Sequence, residues 1–400
     1  MIDCMLQAQS NRGELITLAS LTEAEINSYR IDYQFYCPAC KELVMIKAGQ
    51  KVIPHFAHYP KSKCPEARGG EGPYHERGKL LLHQWLKSQH LQVELEPYLR
   101  HIKQQPDLLL TINDKRIAIE YQCARIPIED IQKRNKGYEQ AGIIPIWILG
   151  AKQFKRQGKF HLKIDQFTKQ FIHQFSPSSS QKLLYLCPET LQLTIFQDIY
   201  MTRTGQAVGR FYFTKLYEIK ITDLFRENRF LETDLYQLWK NEKRKFRLGS
   251  GKRLYGKDLA WRQWLYLQQI HLEHLPSMIH LPVSAQHLMK TPPWDWQSRL
   301  YIGIIDPLPI GSQFTLKHSK TILRNHFYRQ SHFPLIKSTE DPIQQYFHLL
   351  EQLEIIKKQS SDHFTKLRAV SFHKHLEDAL LSDDLIMKEL ILKSRNKLRA

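Results

Sequence analysis

Pro106-Asp107-Leu108-Leu109-Leu110-Thr111-Ile112-Asn113-Asp114-Lys115-Arg116-Ile117-Ala118-Ile119-Glu120-Tyr121-Gln122 is the stretch that decides the fold. Two apolar runs flank Asn113-Asp114-Lys115, and the pattern reads as a β-hairpin closed by a polar turn. Asp107 opens the first strand and Glu120 closes the second, so a closed hairpin brings both carboxylates to its open end. The period-two alternation puts Ile117, Ile119 and Tyr121 on one face, and Arg116, Ala118, Glu120 and Gln122 on the other. Two carboxylates converging at a strand end are what a hard divalent cation such as Mg²⁺ requires. Such an ion polarises a phosphate and lowers the pKa of an attacking water. An amide, Gln122, stands where a lysine would position that water. The alternative is an ion pair between Glu120 and Arg125 or Arg134 at the sheet edge.

Upstream, Pro73 suits a first helical turn, and Leu80, Leu81, Trp85 and Leu86 repeat at helical spacing to Lys87. Gln92 to Glu96 alternates as a half-buried strand does. Downstream, Pro127 opens a helix from Ile128 to Gln140 that Gly142 stops, and Ile143 to Leu149 is a buried strand. The string is α-β-β-β-α-β. Glu71, His75, Lys79 and His83 are spaced by four and fit one helical stripe. That stripe would bring Glu71 or His75 to the metal and Lys79 to phosphate, although Gly72-Pro73 leaves Glu71 at the cap. Arg134 and Tyr138, also four apart, either face the same cleft and bind phosphate or lie on the surface.

Cys37-Pro38-Ala39-Cys40 is a C-x2-C knuckle, followed by His55-Phe56-Ala57-His58 and Cys64. A knuckle of this kind points two thiolates at one centre, and a later His and Cys complete a tetrahedron for structural Zn²⁺. Cys37, Cys40 and Cys64 are the firm ligands, and His55 and His58 compete for the fourth place. Cys4, Cys123 and Cys187 stand alone.

Length and composition bound the rest. At roughly 150 residues per domain, 400 residues imply two or three domains. With 42% hydrophobic and 24% charged residues, wholesale disorder is excluded. No apolar window reaches the ~18 residues of a membrane span, and the start lacks the basic and apolar regions of a secretory signal, so a cytoplasmic chain with reduced thiols is expected. Lys and Arg number 58 against 40 acids, a net charge of +18, which points to a polyanionic partner. Residues 151–170 are basic. Between Lys240 and Lys257 lie Lys243, Arg244, Lys245, Arg247, Lys252 and Arg253, interleaved with Trp239, Phe246, Tyr255, Trp261 and Trp264. Cations for phosphates and aromatics for bases suit a single-strand DNA surface. Ser176 to Ser180 reads as a linker or exposed turn, 181–222 as hairpins, and 254–272, 341–358 and 375–397 as helices.

Taken together, Phe35-Tyr36-Cys37-Pro38-Ala39-Cys40, Pro54-His55-Phe56-Ala57-His58, Glu71 with His75 and Lys79, Pro106-Asp107, Ile119-Glu120-Tyr121-Gln122, Arg134 with Tyr138, and Ile146-Trp147-Ile148-Leu149 resemble the competence protein CoiA family. The resemblance is strongest over about residues 1–150 and rests on less specific motifs beyond. It implies an N-terminal zinc-binding-like region (1–66), a PD-(D/E)XK restriction-endonuclease-like α/β core (67–153) and a basic, mainly helical C-terminal region (154–400). It also implies a role in recombination of incoming single-stranded DNA during natural transformation, alongside recombinase or other competence proteins. By position, Glu71, Asp107, Glu120 and Gln122 are the nuclease-site candidates. Gly72 stands where the family pattern leads us to expect Ser, and Gln122 in place of Lys is a family feature.

Overall fold

The computed structural model describes residues 5–49, 52–60, 62, 64, 72–249 and 256–399. Cys4, Glu71, Lys252, Arg253 and Tyr255, singled out by the sequence, lie outside these residues.

The chain begins with β1 (Gln7–Ser10), β2 (Leu15–Thr17), α1 (Glu23–Asp32), β3 (Phe35–Tyr36), β4 (Leu43–Gly49) and β5 (Val52–His58). The strands form one sheet in the order β2-β1-β3-β4-β5. Thr22 caps α1 in a reciprocal box: its hydroxyl accepts from the Glu25 N–H, and the Glu25 carboxylate accepts from the Thr22 N–H.

The second layer system contains α2 (Pro73–Lys87), β6 (Gln92–Leu95), β7 (Leu108–Ile112), β8 (Lys115–Gln122), α3 (Ile128–Gln140) and β9 (Ile144–Gly150). This is the α-β-β-β-α-β order expected. Asn113 and Asp114 both take positive φ, 45° and 62°, which is the left-handed geometry a tight hairpin turn needs. The alternation of β8 holds. Ile117, Ile119 and Tyr121 pack with Leu82, Trp85 and Leu86 of α2, whereas Ala118 packs with Leu109 and Tyr138 of α3. The two helices therefore cover opposite faces of the sheet. β9 runs parallel to β8, with α3 as the crossover.

The sheet continues past residue 153. It adds β10 (His161–Lys163), β11 (Lys182–Cys187), β12 (Gln192–Arg203) and β13 (Gln206–Lys215), with the short α4 (Gln166–Lys169) between, and its order is β10-β13-β12-β11-β9-β8-β7-β6. β11 pairs with β9 in parallel, so the hairpins read from sequence extend the same sheet.

Beyond it, α5 (Glu232–Leu248), α6 (Gly256–Leu267), α7 (Pro293–Leu300), α8 (Leu316–Ile322), α9 (Pro342–Gln352) and α10 (Leu376–Arg399) surround a core containing Trp239, Trp296 and Tyr346. β14 (Gln313–Thr315), β15 (Ile356–Lys358) and β16 (His363–Lys366) form a small sheet. Two helices are shorter than their periodicity suggested. Glu354 at φ 56° breaks the 341–358 segment, whose last residues form β15, and Gln269 at φ 57° separates α6 from a later turn.

Candidate functional site

The hairpin register pairs Leu108 with Ile119, which sets Asp107 beside Glu120 one step further on. Both carboxylates are buried. Asp107 Oδ2 accepts from the Tyr121 N–H at 2.8 Å and lies 3.5 Å from His75 Nε2. Glu120 Oε1 takes hydrogen bonds from Arg134 and from the Tyr138 hydroxyl, and Arg134 also donates to the Gln105 carbonyl at 3.0 Å. Arg134 and Tyr138 thus face the hairpin, as one reading of their spacing allowed, and Arg134 is the partner of Glu120. Arg125 pairs instead with Asp165 at 2.7 Å.

A chain of buried charges extends from Asp107 into α2. His75 lies between Asp107 and Glu76, and Lys79 Nζ sits 2.9 Å from Glu76 and closer still to Glu96. Burial disfavours the charged imidazole, but Asp107 and then Glu76 outweigh it and push His75 up to about 10. Lys79, expected to reach phosphate, is 1% exposed and held between two carboxylates. Glu76 and Glu96 were not read from the sequence. The three-residue step from Glu76 to Lys79 was a local signal for the first. Glu96 carries none, because its position depends on tertiary contacts: its N–H donates to the Asp107 carbonyl, and Oε2 accepts from the Leu6 N–H at 2.9 Å. Gln122 is half-buried, and its Nε2 donates to the Ala124 carbonyl at 2.7 Å.

The hard oxygens of Asp107 and Glu120 suit Mg²⁺ in type, but Arg134 and Tyr138 already engage Glu120. The Cys/His cluster fits a metal more closely. The ligand atoms of Cys37, Cys40, His58 and Cys64 all lie within 4.8 Å of one another. Cys37 and Cys64 sulfurs are 4.0 Å apart, close to the ~3.8 Å separation of two thiolates on a tetrahedral Zn²⁺. Cys40 Sγ is 3.3 Å from His58 Nε2. This group could hold a structural zinc. His55 is the spare histidine. Three residues apart on a strand, His55 and His58 point to opposite faces, and His55 Nδ1 meets the Ile53 carbonyl at 2.8 Å.

The basic stretch of α5 divides. Arg244 and Lys245 are exposed, and Lys245 pairs with Glu242 at 2.6 Å. Lys243 and Arg247 are not at the surface, contrary to the DNA-facing reading. Lys243 donates to the Ser277 and Ile279 carbonyls, and Arg247 grips both oxygens of Asp383 at 3.0 and 3.1 Å. Helical periodicity accounts for this, because positions 239, 243, 246 and 247 share the core-facing side of α5. Trp239 and Phe246 are core residues for the same reason, and Trp261 of α6 packs into the same core.

No helix among the described residues is long and apolar enough to cross a membrane. Residues 18–67, 71–229 and 235–380 match, respectively, the N-terminal, nuclease-like and C-terminal domains of competence protein CoiA. The chain is 32% identical over 301 residues to competence protein CoiA of Bacillus subtilis (strain 168), covering 73% of this chain and 79% of that protein. No solved structure matches it. Three consecutive domain matches and this relative agree with the hairpin and the cysteine cluster: the chain belongs to the competence protein CoiA family.

Proposed function

We propose that this protein acts on incoming single-stranded DNA in the cytoplasm during natural transformation and promotes its recombination, with the nuclease-like domain engaging the phosphodiester backbone. The observation that carries this reading is the register of β7 and β8, which sets Asp107 beside Glu120 inside the domain matching the nuclease-like family description. Asp107 and Glu120 would hold Mg²⁺, which when bound supplies Lewis-acid stabilisation of a phosphoryl oxygen. Gln122 would orient water once released from Ala124, and Glu71 would assist. Recombinase or other competence proteins would receive the strand.

A second reading is favoured by Arg134 on Glu120: a recombination mediator that keeps the nuclease fold as a DNA-binding platform. One paired assay separates them. Purified wild type and Glu120→Ala are scored for binding and cleavage of labelled single- and double-stranded DNA with Mg²⁺, Mn²⁺ or EDTA. Cleavage by wild type alone, abolished by EDTA, supports a nuclease. Binding by both without cleavage supports the platform. Absence of DNA binding by either protein rejects both.

A further inference from the structure

An exposed basic surface beside the Asp107–Glu120 end of the sheet lies outside α5. It is the segment that follows β9. Residues 152–163 carry Lys152, Lys155, Arg156, Lys159 and Lys163 and no acid, and all five cations are exposed. The segment is anchored beside the candidate site, because Gln153 Nε2 donates to the carbonyl of Cys123, the residue after Gln122, at 2.8 Å. It is also ordered by its own backbone. The Lys163 N–H donates to the Lys155 carbonyl at 3.0 Å, the Gln157 N–H to the His161 carbonyl at 2.8 Å, and β10 pairs with β13 at the edge of the sheet.

Aromatic rings line this path. The Lys152 ammonium sits 4.7 Å from the Tyr74 ring, which stacks on Tyr121, the neighbour of Glu120. The Arg156 guanidinium lies 5.1 Å from the Phe211 ring and 5.2 Å from Phe213, and those two rings stack on each other. Phe213 is 38% exposed. Cations at fixed positions beside partly exposed aromatic rings are the arrangement that binds a sugar–phosphate backbone and stacks unpaired bases. A duplex keeps its base faces inside and has no use for the rings.

We propose that residues 152–163, together with Phe213, form a track for single-stranded DNA leading from the β7–β8 hairpin end to the β10–β13 edge. Lys155, Arg156 and Lys159 hold phosphates, and Phe213 stacks a base. This assignment rests on the DNA reading above and gives it a surface.

The test is fluorescence anisotropy of a labelled oligothymidylate with the full chain across a salt series. The proteins are wild type, the triple variant Lys155→Ala/Arg156→Ala/Lys159→Ala, Phe213→Ala, and the control Lys357→Ala/Lys358→Ala, two exposed cations of β15. Circular dichroism melts verify that each variant is folded. The triple variant is expected to weaken binding by at least about tenfold and to reduce the slope of log affinity against log salt by about 2, at ~0.7 per lost phosphate contact. Phe213→Ala is expected to weaken binding at least about fivefold with little change in slope, and the control to bind as wild type does. Wild-type affinity in a folded triple variant, or loss only in the control, overturns the track and leaves the DNA reading standing. Failure of wild type to bind the oligonucleotide, with retention on phosphatidylserine vesicles instead, overturns both.

Discussion

Arg134, on the second turn of α3, reaches the same Glu120 carboxylate oxygen that the Tyr138 hydroxyl bonds one helical turn later. Glu120 is therefore neutralised within the fold, with almost no access to water. Removing one partner of such a pair leaves a buried charge, at a cost of about 3–5 kcal/mol, while removing both costs far less. Arg134→Ala should lower the unfolding free energy by about 3 kcal/mol, and Glu120→Gln in the same chain should restore much of it. Urea denaturation of the two single variants and the double variant measures this coupling. Simple additivity of the two losses would show that the pair contributes nothing specific.

The cysteine cluster makes a stoichiometric prediction. Purified protein should carry about one Zn²⁺ per chain, released on thiol modification and detected with a chromogenic chelator. Cys64→Ser and His58→Ala should lose it, and His55→Ala should keep it, because His55 faces away from the three sulfurs. Metal binding contributes directly to folding in small sites. The N-terminal sheet should therefore melt earlier in the metal-free protein, seen as an added low-temperature transition. Zinc retained in His58→Ala but lost in His55→Ala would reverse the ligand assignment.

The elements that the sequence disclosed are those with local causes. Helix α3 runs from Ile128 to Gln140 as its Pro127 start and Gly142 stop require, and the β7–β8 hairpin follows from two alternating runs around a turn. The site was legible to the same depth: Asp107, Glu120, Arg134 and Tyr138 are brought together by one hairpin and one helix face. What local pattern does not carry is burial. A run of lysines and arginines looks alike whether its members face water or Asp383, so Lys243 and Arg247 read as DNA contacts until the packing of α5 on α10 is known. Glu96 was invisible because Lys79 and Leu6, its partners, come from other elements.

Buried neutral histidines give the fold an acid limit. His173 accepts the Trp147 N–H on Nε2 at 3.0 Å, and His280 is fully enclosed beside Trp239 and Phe246. Burial pushes both down to about 3. The unfolded chain, with histidines near 6.5, then binds more protons than the native chain below that pH. Their stabilising contribution is intact above pH 6.5 and is lost progressively as pH falls toward 3. Between pH 6.5 and 5 the loss is about 2 kcal/mol per histidine at most. Denaturant midpoints measured over this range should fall for wild type and fall less for His173→Gln and for His280→Asn. Asparagine tolerates the φ of 67° at position 280. Parallel pH curves for all three proteins would mean that these rings titrate normally.

Gly78 lies on the inner face of α2, where the Tyr121 ring is pressed against the helix. A Cβ at position 78 would stand 1.9 Å from Tyr121 Cε1 and 2.5 Å from Cδ1, so one group must move. The ring has little freedom to do so: its hydroxyl donates to the Leu186 carbonyl at 3.0 Å, and its faces meet Tyr74 and His75. In an exposed helix, glycine to alanine stabilises by about 1 kcal/mol. Here overpacking of about 1–3 kcal/mol or more opposes that gain. Gly78→Ala should therefore lower the melting temperature. Tyr121→Phe, which keeps the ring, should not rescue it, whereas Tyr121→Leu should rescue it in part. Because α2 also carries His75 and Lys79, the same displacement should disturb the charges around Asp107. A higher melting temperature for Gly78→Ala would show that α2 stands further from the sheet than this contact requires.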